Sequence, residues 1–166
     1  LESRTQAKTF IYALIYGAGD AKLGTVVGGN KKDGAELKQR FLNNLPSLKS
    51  LRDRVSRAAG KGSIKSLDGR KIFIRSQHSA LNTLLQGGGA VVMKRALVIL
   101  NKSISKMDAH FVANIHDEWQ LEVDKGHADM VGCLGVDAIK QTAEYYNLNC
   151  PLDGEYKVGS NWSETH

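Results

Sequence analysis

The sequence Arg4-Thr-Gln-Ala-Lys8-Thr-Phe-Ile-Tyr12-Ala-Leu-Ile-Tyr16-Gly17 places Arg, Lys, Tyr and Tyr at intervals of four residues, followed by a glycine. On an α-helix, residues four apart lie in one row, so these four predict a stripe about 18 Å long at about 1.5 Å per residue. The stripe is cationic at one end and aromatic at the other. Apolar neighbours can bury against a core and leave it facing outwards. These neighbours are Phe10, Ile11, Leu14 and Ile15.

This stripe has the polarity of a nucleoside triphosphate, which joins an anionic tail to a flat base. We expect Arg4 and Lys8 to bind phosphates and Tyr12 to lie beside the sugar or base. Gly17 would end the helix where a ligand comes close. The alternative is an ordinary surface helix with two solvated basic residues and a half-buried aromatic edge.

Composition bounds the class of protein. The apolar fraction of 42% excludes a disordered or fibrous chain. The two cysteines, Cys133 and Cys150, lack the spacing of a zinc site and do not indicate a disulfide scaffold. We also expect no membrane span, because no apolar run approaches about 18 residues, and no leader peptide. A cytoplasmic protein is therefore predicted.

Charge is distributed unevenly along the chain. Residues 1–106 carry 20 lysines and arginines against 6 aspartates and glutamates, a net charge of +14. Residues 107–166 carry 3 against 11, a net charge of −8. A basic body favours a polyanionic partner such as nucleic acid. The alternative is that the charges only solvate two faces.

Hydrophobic periodicity predicts mainly helices. A brief helix is expected within residues 18–34, an amphipathic helix or helix pair with a basic outer face over residues 35–59, and another helix over residues 127–146. Pro46 marks a kink or a new first turn. A β-hairpin is predicted around Asp68-Gly69, which is a favoured tight-turn pair.

A long helix is predicted over residues 79–106, interrupted by Gly87-Gly88-Gly89. Each glycine costs about 1 kcal/mol relative to alanine in a helix interior, so close approach of a ligand backbone is one candidate compensation. His78, Asn82 and Gln86 precede the glycines at one-turn intervals. Their side chains can bind the minor-groove edge of base pairs, whereas ordinary polar residues near a helix start are the alternative.

Two strand-like segments, residues 111–115 and 119–123, flank His116-Asp117-Glu118. A three-residue connection predicts a hairpin with two carboxylates at its tip. Both can converge on one cation, and hard oxygen ligands suit Mg²⁺. Solvated turn carboxylates are the alternative explanation.

Three strings, in this order, resemble motifs of family A DNA polymerases, the group of bacterial DNA polymerase I and the T-odd phage replicases. Arg-x3-Lys-x7-Tyr-Gly, from Arg4 to Gly17, resembles their nucleotide-binding helix. Asn82-x3-Gln86-Gly87 resembles the helix that checks the primer-template minor groove, although bacterial relatives commonly have arginine where this chain has His78. His116-Asp117-Glu118 resembles the palm motif that holds catalytic metal. Residues 159–166 are similar to the carboxyl terminus of the phage enzymes.

The resemblance covers essentially the whole chain and implies an α+β fold. Residues 1–78 would form mainly helical fingers with the following hairpin, and residues 79–166 the carboxyl-terminal part of the palm. The implied partners are dNTP and primer-template DNA. The implied reaction is attack of a primer 3′-hydroxyl on the dNTP α-phosphate, with two Mg²⁺ ions and in a bacterial or phage-infected cell.

The resemblance also implies residue roles. Asp117 would ligate metal, Glu118 would support it and His116 would lie beside them. Arg4 and Lys8 would bind phosphates, and Tyr16 with Gly17 would border the templating base. At Tyr12 most bacterial relatives have Phe, and Tyr there goes with tolerance of nucleotides that lack a 3′-hydroxyl.

Family members have a further metal-binding aspartate upstream of the fingers, which this sequence does not contain. We therefore expect another fragment, with the thumb and the rest of the palm, to complete the metal site, and we expect the chain alone to be inactive. Two alternatives stay open. One is a non-catalytic DNA-binding remnant or accessory fragment, and the other is a folded piece that binds nothing tightly.

Overall fold

The computed structural model describes residues 3–165, and Leu1, Glu2 and His166, which bound the two predicted domains, lie outside the described residues. The chain divides into two compact units, one ending at Gln86 and one beginning at Gly87. It is mainly helical, with two small antiparallel sheets, which confirms the predicted α+β class. The division into fingers (1–78) and palm (79–166) stays a prediction.

The first unit begins with four helices: α1 (Arg4–Ile15), α2 (Asp20–Val26), α3 (Lys31–Asn44) and α4 (Pro46–Ala59). Phe10 and Leu14 of α1 pack with Leu23 and Leu42 in one buried cluster. Asn30 starts α3 with a reciprocal capping box, which satisfies backbone donors at the helix end. Pro46 opens α4 as a first-turn residue, where its missing N–H costs nothing.

A short hairpin follows, with β1 (Ser63–Lys65) antiparallel to β2 (Lys71–Phe73), as predicted. Gly69 has φ +86°, a conformation that glycine adopts at little cost in the turn. Ile64 is buried against Val55 and Ala59 of α4, so the hairpin packs on that helix.

A 3₁₀ turn (Gln77–Ser79) leads into α5 (Ala80–Ser103), which runs continuously through the three glycines and ends three residues earlier than predicted. The helical segment Gln77–Ser103 is long and apolar enough to cross a membrane by length and composition alone. The prediction of no membrane span stays a prediction, because a core helix of a soluble protein passes the same test. Of the 18-residue window, 17% is buried, and Ala96 and Leu100 of α5 are fully buried within the second unit.

The second unit contains β3 (Ala109–Ile115), β4 (Glu118–Val123), α6 (Ala128–Tyr145) and α7 (Trp162–Thr165). β3 and β4 pair antiparallel, with a bulge between Phe111 and Ala113 that leaves Val112 exposed. One face of this hairpin packs against α5 and α6. The buried members of that core are Ala96, Leu100, Ile104, Ala109, Val131 and Ala138.

Candidate active site

Helix α1 presents the predicted stripe to solvent. Ser3 caps the helix, its side chain accepting a hydrogen bond from the Gln6 N–H at 3.1 Å. Phe10 and Leu14 are buried on the opposite side, so the amphipathic pattern fixes which face is free. The exposed residues of this α1 stripe are Arg4, Lys8, Tyr12 and Tyr16. Ile11, which was expected to bury, is 37% exposed because it lies at the edge of the core-facing side.

The two cations of the α1 stripe keep their charge available. Within residues 3–165, neither Arg4 nor Lys8 forms a salt bridge. Lys8 Nζ lies 5.8 Å from the centroid of the Tyr12 ring, one helical turn away. A phosphate approaching this face would therefore meet cations that no carboxylate of the described chain neutralises.

The end of α1 is built on Gly17, which has φ +81°. Gly17 N–H donates to Leu14 O at 3.1 Å and Ala18 N–H donates to Ala13 O at 2.9 Å, which is the Schellman pattern. A Cβ on Gly17 would lie 2.2 Å from the His78 carbonyl oxygen. The predicted helix end is thus confirmed, and it also packs against the 3₁₀ turn before α5.

A hydrogen bond near this helix end also joins two groups of predicted site residues within the first unit. Gln86 Nε2 donates to Tyr16 Oη at 3.2 Å, although 70 residues separate the two. His78 and Gln86 are exposed, whereas Asn82 between them is half-buried. Asn82 Oδ1 is buried with no hydrogen-bond partner in the described chain. A buried acceptor without a donor costs about 1–3 kcal/mol, and Arg95 Nε and Trp119 Nε1 are in the same situation among the described residues.

The glycines after Gln86 leave open space beside the helix. A Cβ built on Gly88 or Gly89 meets no atom within 4 Å outside its own helix turn. Packing in the chain therefore does not require glycine at either position. The prediction that a ligand backbone approaches here stays a prediction.

The β3–β4 hairpin carries the predicted carboxylates in the second unit. Ile115 pairs with Glu118, so the turn consists of two residues, His116 and Asp117. The three-residue connection that was predicted is therefore wrong, because Glu118 already belongs to β4. His116 adopts φ +52°. A left-handed conformation costs a non-glycine residue about 1–2 kcal/mol, and histidine is among the residues enriched there.

Glu118 is positioned by residues that sequence analysis missed. Gln120 Nε2 donates to Glu118 Oε1, and the two side chains share one strand face because they are two residues apart. Gln120 Oε1 in turn accepts a hydrogen bond from Thr165 Oγ1 of α7 at 3.1 Å. The alternation of side chains along β4 was a sequence signal that Gln120 lies on the same strand face as Glu118. The contact with Thr165 spans 45 residues and had no local signal.

Asp117 and Glu118 are the two carboxylates at this turn. Among the residues that the structure describes, no group of three or more His, Cys, Asp or Glu side chains could hold a metal ion. Asp117 is exposed at the turn and Glu118 is half-buried beside it. Magnesium in proteins is commonly bound by one or two carboxylates, with water and substrate phosphates as the other ligands. Asp117 and Glu118 match that chemistry and leave coordination positions to other groups.

Comparison with known proteins defines the class. The sequence model of DNA polymerase family A matches residues 1–164, and this chain belongs to that family. The chain is 43% identical over 175 residues to the DNA-directed DNA polymerase of Escherichia phage Phieco32, covering 100% of the chain and 28% of that relative. It is 36% identical to the DNA-directed DNA polymerase of Escherichia phage T7, in a match that covers 100% of this chain and 27% of that relative. The predicted resemblance is thereby confirmed.

Bacterial relatives are more distant. DNA polymerase I of Pseudomonas aeruginosa is 31% identical, covering 99% of the chain and 19% of that protein. The solved POL domain of Pol1 from M. smegmatis, in complex with DNA primer-template and dNTP, superposes with a TM-score of 0.76 at 19% identity. That match covers 84% of this chain and 27% of the other, and it shows the fold. The chain spans less than a third of the relatives it matches.

Proposed function

We propose that this chain supplies the nucleotide-binding helix and the metal-binding carboxylates of a DNA-directed DNA polymerase. The observation that carries the proposal is the α1 stripe, whose exposed tyrosines and cations, unpaired within residues 3–165, follow the order of the family motif. The phage relatives of this chain bear the name DNA-directed DNA polymerase. The reaction would join a primer 3′-hydroxyl to the α-phosphate of a dNTP and release pyrophosphate.

The α1 stripe would hold the incoming nucleotide. Arg4 and Lys8 would pair with its phosphates, since charge-assisted hydrogen bonds to phosphate are strong. Tyr12 would lie by the sugar and base. Tyr16, held by Gln86, and Gly17, packed on His78, would border the templating base.

The β3–β4 hairpin would hold Mg²⁺ through Asp117 with support from Glu118, and His116 would lie beside them. Bound there, Mg²⁺ would favour the ionised primer hydroxyl and offset charge on the phosphates. The residues of this chain would orient that site: Gln120 fixes the Glu118 carboxylate, and Thr165 fixes Gln120. A further aspartate outside this chain would complete the two-metal site.

The proposed partners are primer-template DNA, dNTP and a segment with the thumb and the rest of the palm. His78, Asn82 and Gln86 would contact the minor groove, where every base pair presents hydrogen-bond acceptors. The setting would be the cytoplasm of a bacterium or a phage-infected cell. The 166-residue polypeptide alone would bind DNA or dNTP but not turn over, because the aspartate expected to bridge the two metal ions would come from another segment.

Reconstitution tests the proposal. The 166-residue chain is mixed with, or fused to, the remaining length of the T7 relative, and extension of a labelled primer is followed with Mg²⁺ and dNTP. The expected result is template-directed extension by the combination and none by either part. No extension by a combination that assembles, or extension by the lone chain, would contradict it.

A DNA-binding remnant is the second candidate, and the exposed Arg4 and Lys8, which form no salt bridge with the described part of the chain, also favour it. Binding through such cations releases counterions, so affinity should fall steeply between low and physiological salt. A remnant would show this binding but would support no extension in any combination. Salt-independent binding would contradict both candidates.

A further inference from the structure

The β1–β2 hairpin has an outward face that neither the fold nor the proposed active site uses. Its strands alternate, so Ile64 and Ile72 face the cluster on α4 while the intervening residues face outwards. Phe73 stands on this outer face with 74% of its surface exposed, more than any other large apolar residue in the described chain. A single exposed apolar residue is common on protein surfaces, so the argument depends on what surrounds the ring.

Two lysines share that face. The register pairs Lys65 directly with Lys71, and Ser63 with Phe73. Like charges opposite each other on neighbouring strands destabilise the strand pairing. An anionic ligand between the two lysines would remove this destabilisation. Lys71 Nζ lies 5.1 Å from the centroid of the Phe73 ring, so cation and ring act together.

No carboxylate neutralises this face. Asp68 is the single acidic residue between Ser63 and Phe73, and Arg70 already pairs with it in the turn. In the part of the chain that the structure describes, Lys65 and Lys71 form no salt bridge. The outer face therefore combines an exposed ring with Lys71 beside it, two lysines without a salt bridge among the described residues, and a small opposing Ser63.

We propose that this outer face binds single-stranded DNA, with one unpaired base stacked on Phe73 and adjacent phosphates paired with Lys65 and Lys71. Proteins that bind single strands combine an aromatic platform with cations along the backbone. Duplex DNA fits less well, because its bases are already stacked and offer no open face to the ring. The inference rests on the proposed function only in that a polymerase template contains an unpaired stretch.

Fluorescence anisotropy with labelled oligo-dT tests the role of the Phe73 ring. An oligonucleotide of about 12 nucleotides lies within the usual site size of single-strand binding proteins. Phe73→Ala in the 166-residue chain should weaken binding about five- to 150-fold, the range expected for one lost stacking contact. Phe73→Trp should retain binding, and its added emission should be quenched by oligo-dT. Wild-type affinity in Phe73→Ala, or no quenching in Phe73→Trp, would overturn the proposal.

Salt dependence tests the lysines. Lys65→Gln/Lys71→Gln should lower the slope of log affinity against log salt by about 1.4, since each lost phosphate contact on a single strand removes about 0.7. Lys31→Gln/Lys32→Gln makes the same charge change at exposed positions of the same unit and should leave the slope unchanged. Equal effects of the two double variants would overturn the proposal, and so would an equal loss of duplex binding in Phe73→Ala.

These assays contain no dNTP, metal ion or second fragment. A failure of primer extension would therefore leave a hairpin binding result standing. Loss of the hairpin effect would equally leave the assignment of the α1 stripe and of Asp117 standing.

Discussion

Tyr12 places a hydroxyl in the middle of the exposed α1 stripe, where 52% of the residue is accessible. In the reconstituted enzyme, Tyr12→Phe should raise discrimination against dideoxynucleotides, because in the proposed placement the tyrosine hydroxyl would fill the gap left by the missing 3′-hydroxyl. One hydrogen bond contributes about 0.5–3 kcal/mol depending on the partner's charge, so the ratio should change by about two- to 150-fold. Competitive incorporation of ddNTP and dNTP measures it. Tyr145→Phe, at a similarly exposed tyrosine, is the control, and an unchanged ratio in Tyr12→Phe would refute the placement.

Gly17 carries two separate constraints, a positive φ and the nearby His78 carbonyl. Gly17→Ala should destabilise the chain by well over the cost of about 1–2 kcal/mol for a left-handed non-glycine residue, because its Cβ would lie 2.2 Å from a backbone oxygen. Gly28→Ala isolates the first constraint, since Gly28 has φ +72° and open space around it. Urea denaturation compares them. Equal losses in the two variants would show that α1 does not end against His78.

At the scale of elements, α5 keeps glycines that its own packing does not require. Gly89→Ala should raise the free energy of unfolding by about 0.5–1 kcal/mol, and should weaken primer-template binding by the reconstituted enzyme if DNA approaches this helix. Gly135→Ala in α6, where a Cβ would make an ordinary 3.8 Å contact with Leu100, should stabilise without affecting DNA binding. Denaturation and anisotropy measure the two effects. A stabilised Gly89→Ala with normal DNA affinity would argue against close approach.

The pair Asp20–Lys38 joins α2 to α3, with Lys38 Nζ 2.8 Å from Asp20 Oδ1. The hydrogen bond and charge of Lys38 hold the pKa of Asp20 below its ordinary value of 3.8. A lowered folded-state pKa means that the pair stabilises the fold above pH 3.8 and loses this contribution as pH falls through the folded pKa. Asp20→Asn should therefore be less stable than wild type near neutrality, and the difference should shrink in acid. Thermal unfolding across pH measures it, and a difference that persists unchanged in strong acid would contradict the pairing.

Elements with strong periodicity were predictable from local sequence. Helical spacing predicted the α1 stripe and the apolar face of α5. The turn pair Asp68-Gly69 predicted the first hairpin. The length of the β3–β4 turn was not predictable, because His116 adopts a positive φ that is uncommon for non-glycine residues, although histidine is enriched among those that do. Local sequence does not predict a positive φ where the pairing of the flanking strands imposes it.

Contacts that assemble the site were the least predictable part. Tyr16 with Gln86, and Gln120 with Thr165, are separated by 70 and 45 residues. Such pairs depend on how whole elements pack, and no repeat or spacing in the sequence encodes them. Motif resemblance predicted a metal-binding role for Asp117 and Glu118, which stays a prediction, whereas the contact of Gln120 with Glu118 was seen only in the structure.

At the scale of the molecule, the two compact units hold the two halves of the proposed chemistry. The first carries the cations of the α1 stripe, which are proposed to bind nucleotide, and the second carries the carboxylates of the β3–β4 hairpin. The family match extends over residues 1–164 and so includes both. The central claim is that these parts serve one nucleotidyl transfer reaction.

Single-nucleotide addition by the reconstituted enzyme tests that claim most directly. Asp117→Ala should slow addition at least about a hundredfold while assembly and DNA binding persist, because losing a metal ligand removes several kcal/mol and each 1.36 kcal/mol is tenfold in rate. Asp137→Ala removes an equally exposed carboxylate from α6 and should leave the rate within about twofold. Addition by Asp117→Ala at a rate close to that of Asp137→Ala would contradict the assignment of the metal site and, with it, the proposed function.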